Sequence, residues 1–87
     1  MLVKFYPPSF FNISSVAIDF TGALTVEEML KCLAAEDKKF GTILPLDFNE
    51  EEIRNRFLVF VNGRVAGLKD MVSDHDMVEI VPPVSGG

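Results

Sequence analysis

The chain has 87 residues, 48% of them hydrophobic and 24% charged, with 13 Asp and Glu against 8 Lys and Arg, one His, one Cys and no Trp. A chain of this length hides only about 60–65% of the surface its unfolded form exposes, so it predicts one small domain with a thin core and excludes a deep catalytic cavity. The formal net charge of −5 excludes the clustered basic surface that phosphate backbones require, and nucleic acid is not an expected partner.

A single Cys32 builds neither an intramolecular disulfide nor a multi-cysteine metal site, which suits a reducing, cytoplasmic setting. No apolar run exceeds the five residues Phe57 to Val61, far below the ~20 needed to span a bilayer. Met1 opens on strand-like alternation rather than a signal peptide, so no membrane or export role is expected. The mean hydropathy of +0.26 is high for so small a domain, and predicts that some apolar side chains face a partner.

In chain order, residues 2–6 (Leu-Val-Lys-Phe-Tyr) alternate as a strand that ends where Pro7 and Pro8 remove backbone donors. Residues 7–15 form a loop, long for a hairpin. Val16, Ile18 and Phe20 alternate with Ala17 and Asp19 in a second half-buried strand that stops at Gly22. Thr25-Val26-Glu27-Glu28 is a capping box, in which the Thr25 hydroxyl accepts from the Glu28 N–H and the Glu28 carboxylate reaches back. The helix that follows carries Val26, Met29, Leu30, Leu33 and Ala34 on one stripe, with Gly41 as its stop. Pro45 interrupts the next apolar stretch, and Asn49 before Glu50, Glu51 and Glu52 predicts the cap of a short second helical turn.

Phe57 to Val61 is the strongest strand, and Asn62-Gly63 is the dipeptide that a type I′ hairpin turn requires. Arg64 to Ala66 returns as its partner. A loop with Asp70, Asp74 and Asp76 leads to a last strand, Met77 to Val81, that Pro82 and Pro83 terminate. The order strand, strand, helix, strand, strand, strand predicts an α+β domain over residues 1–81, with one main helix packed across one mixed five-stranded sheet. Residues 82–87 follow as a flexible tail.

Strand alternation sends Phe57, Val59 and Val61 to one face and Leu58 and Phe60 to the other. A two-residue turn sets Phe60 opposite Val65. If Val78 and Ile80 face the helix, Glu79 and Val81 face away, so Phe60, Val65 and Val81 are the expected apolar patch for a partner. The alternative is that the loop bearing Phe10 and Phe11 covers them. Pro82-Pro83-Val84-Ser85-Gly86-Gly87 has no core side chain after Val84, and its two glycines make a thin strip ending in a carboxylate, fit to enter a narrow channel. The bland reading of such an end is a frayed terminus.

The segment Asp74-His75-Asp76-Met77-Val78-Glu79-Ile80-Val81-Pro82-Pro83-Val84-Ser85-Gly86-Gly87 resembles the C-terminus of the molybdopterin synthase small subunits, ubiquitin-like sulfur carriers whose family also includes the thiamine sulfur carrier. The Val61-Asn62-Gly63 hairpin and the Thr25-Val26 helix start lie in the family's order. The resemblance implies a β-grasp fold and a carrier function. An adenylyltransferase of the ubiquitin-activating type would use ATP to adenylate the Gly87 carboxylate, and sulfur from a persulfide donor would replace the adenylate to give a thiocarboxylate. The tail, Pro82 to Gly86, would insert into the synthase large subunit to deliver sulfur to a pterin, with Val65 and Val81 meeting that partner. No cofactor is expected on this chain itself, since ATP belongs to the activating partner. The segment Pro7-Pro8-Ser9-Phe10-Phe11-Asn12 departs from the family pattern, and thiamine or another sulfur route stays open as the client. So do a modifier joined to lysines through Gly87 and a non-covalent ubiquitin-like binding module. His75 between Asp74 and Asp76 and the lone Cys32 are read as surface turn and inert thiol rather than ligand and sulfur donor.

Overall fold

A computed structural model describes residues 1–83. The first strand, β1 (Leu2–Phe5), leads into a four-residue turn of helix, α1 (Pro8–Phe11). Pro8 opens it with its fixed φ, and Asn12, at φ 59°, closes it by donating its N–H to the Pro8 carbonyl. The long loop expected at 7–15 therefore contains helix. β2 (Ser15–Ala17) returns antiparallel to β1. It is shorter than the predicted strand, although Ile18 beyond it is still buried.

β3 (Ala23–Thr25) runs straight into the main helix, α2 (Val26–Glu36). The capping box forms as predicted: Glu28 N–H donates to Thr25 Oγ1 at 3.1 Å, and Thr25 N–H donates to Glu28 Oε1 at 2.9 Å. Val26, Met29, Leu30 and Leu33 make the buried stripe. The helix ends at Glu36 rather than at Gly41. Asp37 turns to extended backbone (φ −136°, ψ 113°) and its carboxylate accepts from Phe40 N–H at 3.1 Å, starting a separate turn, α3 (Lys38–Gly41). That break drops Phe40 into the core, where it is fully buried.

Asn49 caps α4 (Glu50–Arg54), its Oδ1 accepting from Glu52 N–H at 2.9 Å. β4 (Leu58–Val61) and β5 (Arg64–Val65) form the predicted hairpin, with φ 53° at Asn62 and 82° at Gly63 as a type I′ turn demands. β6 (Met71–Ser73) precedes β7 (Val78–Val81). The main sheet has the order β2-β1-β7-β4-β5, with β1 and β7 parallel and the other pairs antiparallel. β3 and β6 pair in a separate two-stranded ribbon that the sequence reading leaves as turn and loop. This ribbon brings the Asp70 and Leu68 carbonyls to the Val26 and Glu27 N–H groups, satisfying two donors at the start of α2.

The helices cover one face of the sheet, the β-grasp arrangement. Val3, Phe5, Val59, Val78 and Ile80 seal that face against α2, with Phe40 and Phe57 filling the end. No helix among the described residues is long and apolar enough to cross a membrane.

Candidate functional site

β7 occupies the middle of the main sheet, with β1 on one side and β4 on the other. Its residues divide by alternation: Val78 and Ile80 are buried, whereas Glu79 and Val81 are half-buried on the face that carries no helix. Register fixes their neighbours. Val81 pairs with Leu58, Glu79 pairs with Phe60, and Phe60 pairs with Val65 on the edge strand. On the other flank Lys4 lies beside Glu79. Leu2 and Tyr6 share Lys4's parity along the strand and are 50% and 44% exposed, and Val65 is 45% exposed. The outer face is thus an apolar surface crossed by one charged row, Lys4 and Glu79.

Phe60, Val65 and Val81 occupy one face as the sequence predicts, and the expected Phe60–Val65 pairing is present. The alternative cover does not exist. Phe11 is buried on the helix side, with its ring 5.4 Å from that of Phe5, and Phe10 packs on Phe11 while staying 57% exposed. Sequence reading omitted Leu58, Leu2 and Tyr6 from the patch. The same two-residue period marks all three, once β1 and β4 are known to flank β7.

A polar clasp fixes the position of this surface. Asn62 uses both ends of its amide, donating from Nδ2 to Asp76 Oδ1 at 3.0 Å and accepting at Oδ1 from Met77 N–H at 2.9 Å. Its backbone N–H also donates to the Met77 carbonyl at 2.8 Å. The second Asp76 oxygen accepts from Ser73 N–H at 2.8 Å. These bonds, first the one from the Ser73 backbone and then that from Asn62, hold the Asp76 carboxyl below its usual range. The turn of the hairpin is thereby tied to the entry of β7, which sets Phe60 and Val65 relative to Val81. Asn62 and Asp76 were legible only as turn residues, and their mutual bonds depend on a contact 14 residues apart.

At the far end of β7, Tyr6 N–H donates to the Ile80 carbonyl at 2.9 Å, so the chain leaves the sheet beside the end of β1. Pro82 and Pro83 are half-buried there. Val84, Ser85, Gly86 and Gly87, the remaining predicted tail and reaction residues, lie outside the described residues. The His75 side chain is 92% exposed, with its Nε2 3.4 Å from Asp74 Oδ1. Among the described residues no group of three or more His, Cys, Asp or Glu side chains is placed to hold a metal ion. Cys32 is a half-buried free thiol beside the core.

The model of the ThiS family matches residues 10–87. The fold is shared with SAMP1 of Haloferax volcanii, at 23% identity, TM-score 0.72, and coverage of 99% of this chain and 97% of that one. It is shared also with small archaeal modifier protein 1 of H. volcanii, at 20% identity, TM-score 0.71, and 95% of both chains. A protein of Pyrococcus furiosus described as molybdopterin converting factor subunit 1 gives 20% identity, TM-score 0.69, and again 95% of both chains. No curated protein matches the chain.

Proposed function

The chain belongs to the ThiS family of ubiquitin-like sulfur carriers, and we propose that within it this protein is the small subunit of a molybdopterin synthase. The observation that carries the reading is the run Pro82-Pro83-Val84-Ser85-Gly86-Gly87 issuing from β7, the strand held on both sides in the main sheet. A prolyl pair stops the ladder, and two residues without side chains then bring a carboxylate to the end of a narrow strip.

An activating enzyme of the ubiquitin-activating type spends ATP to join AMP to the Gly87 carboxylate, releasing pyrophosphate. The acyl adenylate is electrophilic; the terminal sulfur of a persulfide donor displaces AMP to give an acyl disulfide, and a second thiol then attacks the donor's sulfur, forming a disulfide with the donor and releasing Gly87 as a thiocarboxylate, nucleophilic at neutral pH. The charged tail then enters the synthase large subunit, which seats on Phe60, Val65 and Val81 and carries the pterin precursor. The carrier binds no cofactor of its own, and its one thiol suits a reducing cytoplasm.

The intact mass of the protein, with Gly87 as a free C-terminus, tests this after incubation with ATP, an activating enzyme, a persulfide donor and a thiol reductant. The expected gain equals exchange of one oxygen for sulfur and disappears in Gly87→Ala, which stays folded. Normal sulfur loading of that variant would sink the mechanism. A second reading, supported by the likeness to small archaeal modifier protein 1, is that the activated Gly87 is passed to lysines of other proteins. Lysine-linked adducts that need Gly87 would establish it, and a thiamine or other sulfur client would appear as loading without pterin conversion.

A further inference from the structure

The two faces of the sheet leave one large side chain unaccounted for. Phe10 is 57% exposed, yet it does not sit on a loose loop. α1 is closed at both ends, with the Phe10 N–H donating to the Pro7 carbonyl at 3.1 Å and the Asn12 N–H to the Pro8 carbonyl at 2.8 Å. The ring ends a row of aromatic contacts that reaches the core: Phe10 on Phe11 at 4.9 Å, Phe11 on Phe5 at 5.4 Å, Phe5 on Phe40 at 5.6 Å and Phe40 on Phe57 at 5.5 Å. Phe5, Phe40 and Phe57 are fully buried and Phe11 nearly so. An aromatic side chain held in this way gives up little freedom on binding, and aromatic residues are enriched at the cores of interfaces.

Its position ties it to the tail. β1 and β7 run parallel with Phe5 beside Ile80, so the chain turns into α1 at the same end of the sheet where β7 releases Pro82. Four residues, Val84 to Gly87, follow the half-buried Pro83, and fully extended they span about 13–14 Å. An enzyme that brings the Gly87 carboxylate to ATP must therefore set the wall of its own site within that distance of the sheet end. α1 stands at that end, and Phe10 is the large apolar side chain that it leaves exposed.

We propose that Phe10 anchors the carrier on the activating enzyme, its ring seated in an apolar recess at the mouth of the channel that takes Gly87. This rests on the carrier reading given above and names a contact of its first partner. Activation of Gly87 comes first in both the sulfur route and the lysine route, so this enzyme is the receiver that both require. The short reach of the tail imposes the contact, whichever partners share the outer sheet face. Phe10 takes no part in the chemistry; it adds affinity beside the base of the tail.

The test is ATP–pyrophosphate exchange by the activating enzyme with the carrier as varied substrate. Phe10→Ala is expected to raise KM for the carrier about tenfold with kcat unchanged, and Phe10→Leu, which keeps an apolar side chain on Phe11, about threefold. Met71→Ala is the control. Met71 is 58% exposed, much as Phe10 is, but lies on the ribbon that meets the start of α2, at the far end of that helix from Phe40 and Phe5. Its KM is expected to stay near the wild-type value. A wild-type KM in Phe10→Ala, a fall in kcat alone, or equal rises in Phe10→Ala and Met71→Ala would overturn the anchor while leaving the carrier function intact. Should thermal melting show Phe10→Ala to be partly unfolded, Phe10→Leu decides in its place, and a wild-type KM there overturns the anchor. Absence of exchange with the wild-type chain overturns both.

Discussion

The two faces of the main sheet are built from the same strands and differ only in which alternate residues they present. On the helix side, Phe5, Val78 and Ile80 are fully buried, and Val59 nearly so. On the other, Leu2 and Val65 are about half exposed and Leu58, Phe60, Glu79 and Val81 are half-buried, with no helix over them among the described residues. A single strand such as β7 thus contributes to two energies. Its even-numbered residues stabilise the monomer, and its odd-numbered ones are available to a complex. In a domain this small the division is economical: each strand spends one side on folding and keeps the other for recognition.

Adjacent substitutions in β7 put that division at risk most directly. Ile80→Ala is expected to lower stability by about 2–5 kcal/mol, because the cavity opens in the packed layer beneath α2. Chemical denaturation would show it as an earlier midpoint with little change in slope. Val81→Asp, one residue on, is expected to cost more than about 1 kcal/mol of affinity for the synthase large subunit while altering stability by less than about 0.5 kcal/mol. Calorimetric titration and thermal melting of the same sample separate the two; a large stability loss in Val81→Asp would mean that the outer face is part of the core.

Asn62→Ala addresses the clasp that joins the faces. It removes two side-chain hydrogen bonds to Asp76 and Met77 and a residue tolerant of positive φ, and about 1 kcal/mol of stability should go with them. Loss of the clasp should also weaken docking of the large subunit, since Phe60 and Val65 move relative to Val81. The smallest effect is on acid stability. Hydrogen bonds from Ser73 and Asn62 depress the Asp76 carboxyl, and those from the Thr25 backbone and hydroxyl depress Glu28. Folded values below the unfolded ones mean that these contributions are present in full above the ordinary carboxylate range. They fade as pH falls through it toward the lowered values. An acid titration of the folded fraction should be shallower in Asp76→Asn than in wild type.

Legibility in the sequence followed how local each cause is. Asn62-Gly63, the Thr25–Glu28 box and the Asn49 cap are each decided within four residues, and each formed as read. The ribbon of β3 and β6 was not legible, because Ala23–Thr25 and Met71–Ser73 are too short to show a period and are defined only by one another. The break at Asp37 was missed for a different reason. Lys38 and Lys39 fit a continuing helix as well as a new one, and the decision rests on burying Phe40 between Phe5 and Phe57. The acidic run at 50–52 reads in sequence only as the start of a helical turn, yet the Glu50 carboxylate also accepts from the Leu68 N–H across 18 residues. For the candidate site, Phe60, Val65 and Val81 followed from alternation, whereas Leu58, Leu2 and Tyr6 required the strand order.

The central place of β7 has a mechanical meaning. A pull along this strand toward its C-terminal end is carried by parallel hydrogen bonds to β1 and antiparallel ones to β4 at the same time. Tension loads those bonds in shear, so they must yield together rather than unzip one by one from an edge. A partner that draws the end of the chain deep into its own channel therefore meets resistance from the whole sheet, and the carrier stays folded while it is being handled.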